Sequence, residues 1–230
     1  MCVRYTVHKP EAALEALEGV LNAALRGKTL LEPRYNIAPS QLAPIVAKES
    51  GEPSLGSMRF GLLPPGDRGA ERKRALPNAR AETIAGLPAF RAAAAGRRCL
   101  VPACGFYEFR DLGTRKQPWL FTLDDDEPMA LAGLWEPPDG ADPPTFCIVT
   151  TTANRVVGEV HDRMPVILTG ESAALWFGDS PLNSAELAQL TLPAADGLLR
   201  ARRVDPYVNN SRHEGPRCVA PPPPEDPELF

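Results

Sequence analysis

Residues 97–109 read RRCLVPACGFYEF, two short apolar runs that meet at Cys104 and Gly105. Runs of this length, bounded by glycine, proline and polar residues, are typical of β-strands. An amphipathic helix needs a longer stretch with apolar residues three and four positions apart. The stretch therefore predicts two consecutive strands, one over 97–103 and one over 105–109.

Similar runs continue on both sides of this stretch. They read LAPIVA (42–47), SMRFGLL (57–63), PWLFTL (118–123), MALAGLWE (129–136), TFCIVTTT (145–152) and RMPVIL (163–168). Helical spacing is limited to residues 11–26, 171–177 and 184–190, and Asn183 or Ser184 is the predicted N-cap of the last of these. Eight short strands with few helices predict an α+β fold built on curved antiparallel or mixed sheets.

Composition narrows the class of protein. The chain has 230 residues, 43% of them hydrophobic, which favours one large domain over two. Its net charge of −4 lacks the basic character of a protein that holds long duplex DNA, so any contact with nucleic acid has to be local. The five cysteines have no CxxC spacing, which favours neither a disulfide scaffold nor a zinc site. We expect reduced thiols, no metal and no cofactor.

The ends of the chain carry no membrane signal. No stretch approaches the roughly 18 apolar residues of a membrane span, and the first ten residues lack the apolar segment of a signal peptide. The expectation is a cytoplasmic protein without a membrane partner. Residues 221–230 are rich in proline and acidic residues and are expected to be a disordered tail.

Cys2 is the most informative single residue, because removal of Met1 would make it the N-terminus. A terminal cysteine carries an amine with a pKa of about 7.7–8.0 and a thiol with a pKa of about 8.5, so both nucleophiles are accessible near neutral pH. An aldehyde that meets this pair forms an imine with the amine, and the sulfur then closes a five-membered thiazolidine ring. The alternative is an incidental cysteine at position 2.

Three further segments carry polar groups suited to chemistry. In PNARAET (77–83), an extended backbone would direct Asn78, Arg80 and Glu82 to one face, although an ordinary polar strand edge has the same pattern. Glu108 follows an apolar run, where burial would raise its pKa, but strand periodicity also allows it to face solvent. His161 stands beside Asp162 and Arg163 and is either a general acid or a structural histidine.

Taken together and in order, these segments resemble the SRAP family of abasic-site processing proteins. The matching segments are Met1-Cys2 with Arg4, RYNIAPSQ (34–41), MRFGLLP (58–64), NARAET (78–83), RRCLVPACGFYEF (97–109), LAGLWE (131–136), VTTTAN (149–154), VHDRMPVIL (160–168) and VNNSRHEGPRC (208–218). The resemblance implies a single α+β domain over residues 1–220, with a curved, barrel-like, mixed or antiparallel β core flanked by short helices.

The same resemblance implies an activity. Such proteins remove their own Met1 in a peptidase-like step and form a covalent crosslink with abasic sites in single-stranded DNA during the DNA damage (SOS) response. Lyase-type strand cleavage or reversal can accompany the crosslink. For this chain it implies a monomer that acts on damaged DNA at the nucleoid.

Carried over by position, the resemblance assigns roles to particular residues. Cys2 would be the double nucleophile, Asn78 would hold its amine or the sugar oxygen, and Glu108 would move protons. His161 would donate the proton that opens the deoxyribose ring. The residues expected to contact DNA are Arg4 and Arg80 as phosphate clamps, Asn36 and Pro39 on the pocket floor, and Phe60 and Arg163.

The sequence departs from the family pattern at several of these positions. Val3 replaces the family's usual glycine, and Phe60 replaces its usual tryptophan. Cys104 replaces the usual aspartate, and the final aromatic residue of the same motif is Phe109. A second family tryptophan is absent, so Arg68, Arg72 and Arg74 are candidates to compensate for lost base stacking. Cys104 is expected to add a second thiol near the site.

Two other functional classes stay open at this point. In the first, Cys2 is the nucleophile of a self-processing or N-terminal-nucleophile peptidase with His161 as its base, which predicts turnover of other peptides. In the second, the protein binds single strands without catalysis, in which case Cys2→Ala would leave binding unchanged. A zinc module built from Cys99, Cys104 and His161 is not supported by the spacing.

Overall fold

A computed structural model describes residues 2–27, 31–65, 75–138 and 142–224, which form thirteen strands and five α-helices. The strands are β1 (Tyr5–Val7), β2 (Arg34–Ile37), β3 (Leu42–Glu49), β4 (Glu52–Phe60), β5 (Asn78–Arg80), β6 (Arg98–Ala103), β7 (Gly105–Asp111), β8 (Lys116–Leu123), β9 (Met129–Glu136), β10 (Thr145–Thr152), β11 (Arg163–Pro165), β12 (Ile167–Leu168) and β13 (Leu199–Arg203). The helices are α1 (Pro10–Leu21), α2 (Pro88–Gly96), α3 (Arg155–Gly158), α4 (Glu171–Phe177) and α5 (Ser184–Leu190).

One sheet is antiparallel and has five strands in the order β13-β8-β7-β1-β2. Its centre is the β7–β8 hairpin, in which Phe106 pairs with Phe121 and Glu108 pairs with Trp119. Paired residues of neighbouring strands project from the same face. The stacked rings of Phe106 and Phe121 lie in the main core, so Glu108 and Trp119 project toward that core as well.

The second sheet curves until it closes. Its order is β11-β10-β4-β3-β6-β9-β12, and β10 also pairs with β9, so β4, β3, β6, β9 and β10 form a ring. β10 runs parallel to β4 and β5 but antiparallel to β9 and β11, which makes the sheet mixed. The predicted α+β fold with a curved, barrel-like β core and short flanking helices is confirmed.

Gly133 marks where the ring is tightest. A Cβ at this position would lie 2.7 Å from the Cys99 sulfur and 2.9 Å from a Val101 methyl carbon. No ordinary side chain fits there without displacing core atoms. The ring interior is therefore a packed core, and a channel through it is excluded.

The main core lies between the two sheets. It contains Cys2 and Tyr5 from the N-terminal segment together with Phe60, Phe106 and Phe146 from the sheets. A second cluster packs helices α1, α2 and α4 on the outside of the ring. The N-terminal segment is thus held inside the molecule, between the sheets, and this position defines the site described below.

Several predicted boundaries need correction. The first helix ends at Leu21, because Asn22 takes a left-handed backbone with φ 48°, so the predicted extent of 11–26 was too long. Helix α2 was not predicted, because its alanine-rich sequence has few large apolar residues at helical spacing. The last predicted strand divides at Val166, since β11 pairs with β10 and β12 pairs with β9.

The two predicted C-terminal helices are confirmed as α4 and α5. Asn183 caps α5 in a capping box with Glu186, as the sequence indicated. The short strands β1, β2 and β13 have three to five residues and gave no recognisable pattern. Within the described ranges, no helix is long and apolar enough to cross a bilayer.

Candidate functional site

The site forms where the N-terminal segment runs beside β7. Tyr5 pairs with Phe106 in antiparallel register, and the Arg4 carbonyl accepts a hydrogen bond from the Tyr107 N–H at 2.9 Å. Cys2 lies near Glu108, because the charge of this β7 carboxylate acts on the Cys2 thiol. On its other side, the Asn78 side-chain N–H donates to the Cys2 carbonyl at 2.8 Å. Two strands from different sheets therefore hold Cys2.

Cys2 is completely buried. Burial, together with the negative charge of nearby Glu108, raises the pKa of its thiol well above the ordinary value. The sulfur is therefore protonated at neutral pH and shielded from oxidants in bulk solvent. A reaction at this sulfur requires a base to take its proton, and the charge interaction identifies Glu108 as a neighbouring candidate.

Glu108 is also buried, with an exposed fraction of 2%. The solvent-facing interpretation of this residue was wrong, because the face of the five-stranded sheet that carries it packs on the main core. Burial, and to a smaller extent the nearby charge of Asp162, raises the pKa of Glu108 to about 7. Both protonation states are then populated near neutral pH, as a proton carrier requires.

His161 lies in the turn between α3 and β11. Its Nδ1 accepts a hydrogen bond from the Arg163 backbone N–H at 3.0 Å and lies 2.9 Å from the Asp162 Oδ1. Partial burial lowers the pKa of the ring. Asp162 influences the pKa of Glu108, so this turn lies close to the Glu108 carboxyl group.

Asn78 is the first residue of β5, and its side-chain oxygen lacks the hydrogen bond that a buried oxygen normally accepts. Its Oδ1 is buried and has no hydrogen-bond partner among the described residues. A buried acceptor without a donor costs about 1–3 kcal/mol, so native proteins rarely retain one without a reason. This oxygen is available to a donor on a bound molecule or on a newly formed N-terminus.

Arg80 and Arg163 differ in their surroundings. Arg80 is exposed at the end of β5. The Arg163 guanidinium donates to both carboxyl oxygens of Glu82, at 2.7 and 2.9 Å, and to the Thr150 carbonyl at 2.7 Å. The predicted alternation of Asn78, Arg80 and Glu82 stops at Arg80, because Glu82 lies in the turn that follows.

Arg4 and Asn36 point into the protein. The Arg4 Nη1 donates to the Asn36 Oδ1 and to the Val208 carbonyl, both at 2.8 Å, and its guanidinium lies 5.7 Å from the Phe109 ring centroid. The Asn36 amide donates to the carbonyls of Val208, Asn210 and His213. Asn36 is buried, so its expected place on a pocket floor is corrected to an anchor of the 208–213 segment.

Phe60, Pro39 and Cys104, which were also expected at or near the site, lie in three different surroundings. Phe60 is fully buried and stacks on Phe146 at 5.0 Å, so it offers no ring face to a base, and its expected DNA contact is not supported. Pro39 is half-buried in the turn after β2. The Cys104 sulfur accepts from the Lys9 N–H at 3.4 Å at the start of α1 and lies outside the Cys2 site.

Some positions named in the sequence analysis lie outside the described residues. These are Met1, the compensating arginines Arg68, Arg72 and Arg74, and most of the tail expected over 221–230. All five cysteines are buried thiols without a disulfide. Within the described ranges, no group of three or more histidine, cysteine, aspartate or glutamate side chains could hold a metal ion.

A groove opens beside Val3 and Arg4, the residues that follow Cys2. It has a volume of about 510 Å³ and lies between the N-terminal segment and the β7–β8 turn. Val3, Arg4 and Phe109 line it, and so do Arg115 and Lys116. These two cations follow the turn residue Gly113, which has a φ of 83°, by two and three positions.

Comparisons with known proteins agree on one relationship. The family model described as "SOS response associated peptidase (SRAP)" matches residues 1–211. The chain is similar to the abasic site processing protein YoqW of Bacillus subtilis, with 34% identity over 191 residues that cover 81% of this chain and 85% of the relative. It is also similar to the abasic site processing protein HMCES of Gallus gallus, with 30% identity over 224 residues, 82% of this chain and 66% of the relative.

Solved structures show the same fold. A crystal structure of a protein from Bacteroides thetaiotaomicron has a TM-score of 0.78 and 26% identity, over 96% of this chain and 99% of that one. A phage-related protein from Bordetella bronchiseptica has a TM-score of 0.70 and 28% identity, over 88% of this chain and 94% of that one. These similarities cover most of this chain and show that its overall fold is shared.

Proposed function

The chain belongs to the SRAP family, and on that basis we propose that it captures the ring-opened aldehyde of an abasic site in single-stranded DNA on Cys2. The relatives are named for abasic-site processing, which gives the class of DNA lesion. The observation that carries the proposal is the enclosure of Cys2 between Asn78 and the proton carrier Glu108.

The first step is removal of Met1. Water adds across the Met1–Cys2 peptide bond, methionine leaves, and Cys2 gains a free α-amine. Either the protein itself or an aminopeptidase performs this hydrolysis. The new amine lies next to the Cys2 carbonyl that Asn78 holds, and the Asn78 Oδ1 accepts one of its hydrogens. That hydrogen bond would orient the amine lone pair toward an incoming carbonyl carbon.

Crosslinking then follows the chemistry of an aminothiol with an aldehyde. The amine attacks C1′ to give a carbinolamine, Glu108 protonates the departing hydroxyl, and water leaves to form an iminium ion. Glu108 next takes the proton of the Cys2 thiol, and the sulfur attacks C1′ to close the thiazolidine. The sum is aldehyde plus aminothiol giving thiazolidine and water. The raised pKa of Glu108, about 7, suits a group that gives a proton and then takes one.

His161 acts before and after these steps. An abasic sugar is mostly a closed hemiacetal, and donation of the Nε2 proton to the ring oxygen opens it as the C1′ hydroxyl loses its own proton. The same donor assists reversal. Lyase cleavage requires loss of a C2′ proton and of the 3′ phosphate from the iminium ion, so closure of the thiazolidine competes with strand cleavage.

The DNA strand is bound locally, because the protein has a net charge of −4. Exposed Arg80 on β5, and Arg115 and Lys116 in the groove beside Val3 and Arg4, are the cations proposed to contact the phosphates that flank the lesion. An abasic site has no base to be flipped out, so a bent single strand can present C1′ directly. We propose a monomer that acts in the cytoplasm at damaged DNA and needs no cofactor.

The decisive test is intact mass spectrometry before and after incubation with an oligonucleotide that carries one abasic site. We expect a wild-type mass without Met1 and an adduct that survives denaturation. Cys2→Ala should abolish the adduct, whereas Cys104→Ser, which keeps a polar atom near the Lys9 N–H, should retain it. An adduct on folded Cys2→Ala protein would refute the mechanism. Turnover of unrelated peptides would favour the peptidase reading instead.

A further inference from the structure

Arg110 connects strand β7, which contains Glu108, to the turn that contains His161. It lies two residues after Glu108 on β7, so both side chains project from the same face of the strand. Its Nη2 donates a hydrogen bond to the carbonyl of Glu159, two residues before His161. The Arg110 side chain thus joins the Glu108 strand to the His161 turn.

Trp119 fixes the direction of the Arg110 side chain. The Arg110 guanidinium lies over the Trp119 ring, with 5.5 Å between the guanidinium carbon and the ring centroid. Trp119 is the cross-strand partner of Glu108 and packs against the core cluster that contains Cys2. The ring therefore lies beside Glu108, and the guanidinium is held flat by a cation–π contact of about 0.5–1 kcal/mol or more.

The His161 turn has internal hydrogen bonds, but these do not tie it to β7. The N–H groups of Val160 and His161 both donate to the Val157 carbonyl, and the Ala153 N–H donates to the Asp162 carbonyl. These bonds shape the turn and attach it to the end of β10. The Arg110–Glu159 hydrogen bond is different, because it crosses from the five-stranded sheet to the turn.

We propose that Arg110, aligned by Trp119, is a positioning residue that holds the His161 turn against the Glu108 strand. It contacts neither the reacting atoms nor the DNA phosphates. This inference rests on the proposed function and deepens it, because it assigns the spacing of the two proton carriers to one guanidinium. The role requires a side chain that donates a hydrogen bond to Glu159 and at the same time lies over the Trp119 ring. Arginine meets both requirements with its planar guanidinium, whereas lysine can donate the hydrogen bond but has no planar group.

The test is a double-mutant cycle on single-turnover crosslinking to an abasic oligonucleotide. Arg110→Met keeps the aliphatic length and removes the donor, and we expect it to slow crosslinking about tenfold, part of the roughly 10²–10⁴-fold that a positioned general acid contributes. In the His161→Ala background, Arg110→Met should have little further effect. Arg110→Lys should recover part of the rate. Arg91→Met, an equal loss of charge on the exposed face of α2, should match wild type.

Affinity for an intact single strand separates positioning from charge. We expect Arg110→Met to bind an undamaged oligonucleotide within about twofold of wild type, since a phosphate contact would instead weaken binding and reduce its salt dependence. Equal slowing by Arg110→Met with and without His161 would overturn the inference while leaving the crosslinking function intact. A wild-type protein without any adduct would overturn the proposed function itself.

Hydrogen exchange tests the same inference without DNA. Arg110→Met should accelerate amide exchange in residues 159–163 and leave the β7–β8 hairpin unchanged, because the turn would lose its attachment to the sheet. Unchanged exchange in these residues would overturn the inference, whatever the crosslinking assay gives. Melting temperatures of each variant confirm that the comparison is made between folded proteins.

Discussion

Arg98 and Glu108 are buried charged side chains on consecutive strands, and burial disfavours the charged form of each, yet only Glu108 is brought close to its titration point at neutral pH. The Arg98 guanidinium donates to five backbone carbonyls, those of Ala94 and Ala95 at the end of α2 and of Trp176, Gly178 and Ser180 at and after the end of α4. Two helix ends thereby gain a shared cap. Burial acts on Glu108 by raising its pKa to about 7.

The difference separates a structural charge from a chemical one. Burial lowers the pKa of Arg98, but a guanidinium titrates so far above neutral pH that it keeps its charge, and its five carbonyl acceptors make it a fixed link between two helices. Glu108 has surroundings that favour its neutral form, so its charge is easily gained and lost. Burial alone does not identify a functional residue; the balance between the two protonation states does.

The largest expected effect is that of Arg98→Met on stability. The substitution removes the donor from five backbone carbonyls, two of them in buried hydrogen bonds, and we expect a loss of about 3–5 kcal/mol in the free energy of unfolding. Urea unfolding followed by circular dichroism measures it. Arg91→Met is the matched control and should change stability by less than about 0.5 kcal/mol. Equal unfolding midpoints for the two variants would contradict the structural role of Arg98.

Glu108→Gln should have the complementary effect on activity. Glutamine keeps the shape but neither gives nor takes a proton, so we expect crosslinking about 10²–10³-fold slower with the fold retained. Single-turnover assays on an abasic oligonucleotide, read on denaturing gels, measure the rate. A rate within threefold of wild type would remove Glu108 from the mechanism.

The same variant tests the pH dependence of stability. The folded-state pKa of Glu108, about 7, lies above its unfolded value of about 4.5, so the folded state binds the proton more tightly. Its contribution is fully present below pH 4.5 and is lost as the pH rises through 7, by up to about 3 kcal/mol. Glu108→Gln should therefore gain stability relative to wild type between pH 4.5 and 7. Parallel stability curves for the two proteins would contradict the raised pKa.

The smallest effect is expected at Glu82, a carboxylate whose charge is favoured. Its pKa is lowered chiefly by the hydrogen bond from Arg163, and about half of its side chain is exposed. Glu82→Gln should cost only about 0.5 kcal/mol above pH 5, and less below pH 4, where the wild-type carboxylate is also neutral. Its crosslinking rate should stay within twofold of wild type. A rate loss as large as that of Glu108→Gln would mean that Arg163 positions the substrate.

The sequence predicted the architecture well and the interior of the site less well. Strands of six or more residues have a recognisable pattern, and their order was enough for the α+β fold. Strand β1 has three residues and no pattern, although its pairing with β7 attaches the N-terminal segment that carries Cys2 to the strand that carries Glu108. The burial of Glu108 depends on which face of the sheet packs on the ring, and strand alternation is the same for either face.

The type of a residue indicates what its side chain can bind, but it does not indicate where in the fold that side chain lies. Asn36 and Phe60 are suited to binding a sugar or a base, but the first anchors residues 208–213 and the second packs on Phe146. Arg110 gave no signal, because its partner Glu159 is 49 positions away in the sequence. Contacts of this kind arise from the docking of two sheets and have no local pattern.

The burial of Cys2 has a practical consequence for preparing the protein. If the proposed chemistry holds, any residue left in front of Cys2 by a purification tag or a fusion partner converts its amine into an amide and silences the protein without unfolding it. Such a preparation would pass every test of purity, folding and melting temperature while being inert. An affinity tag attached after the last residue avoids this false negative, and the mass of the N-terminal peptide identifies it.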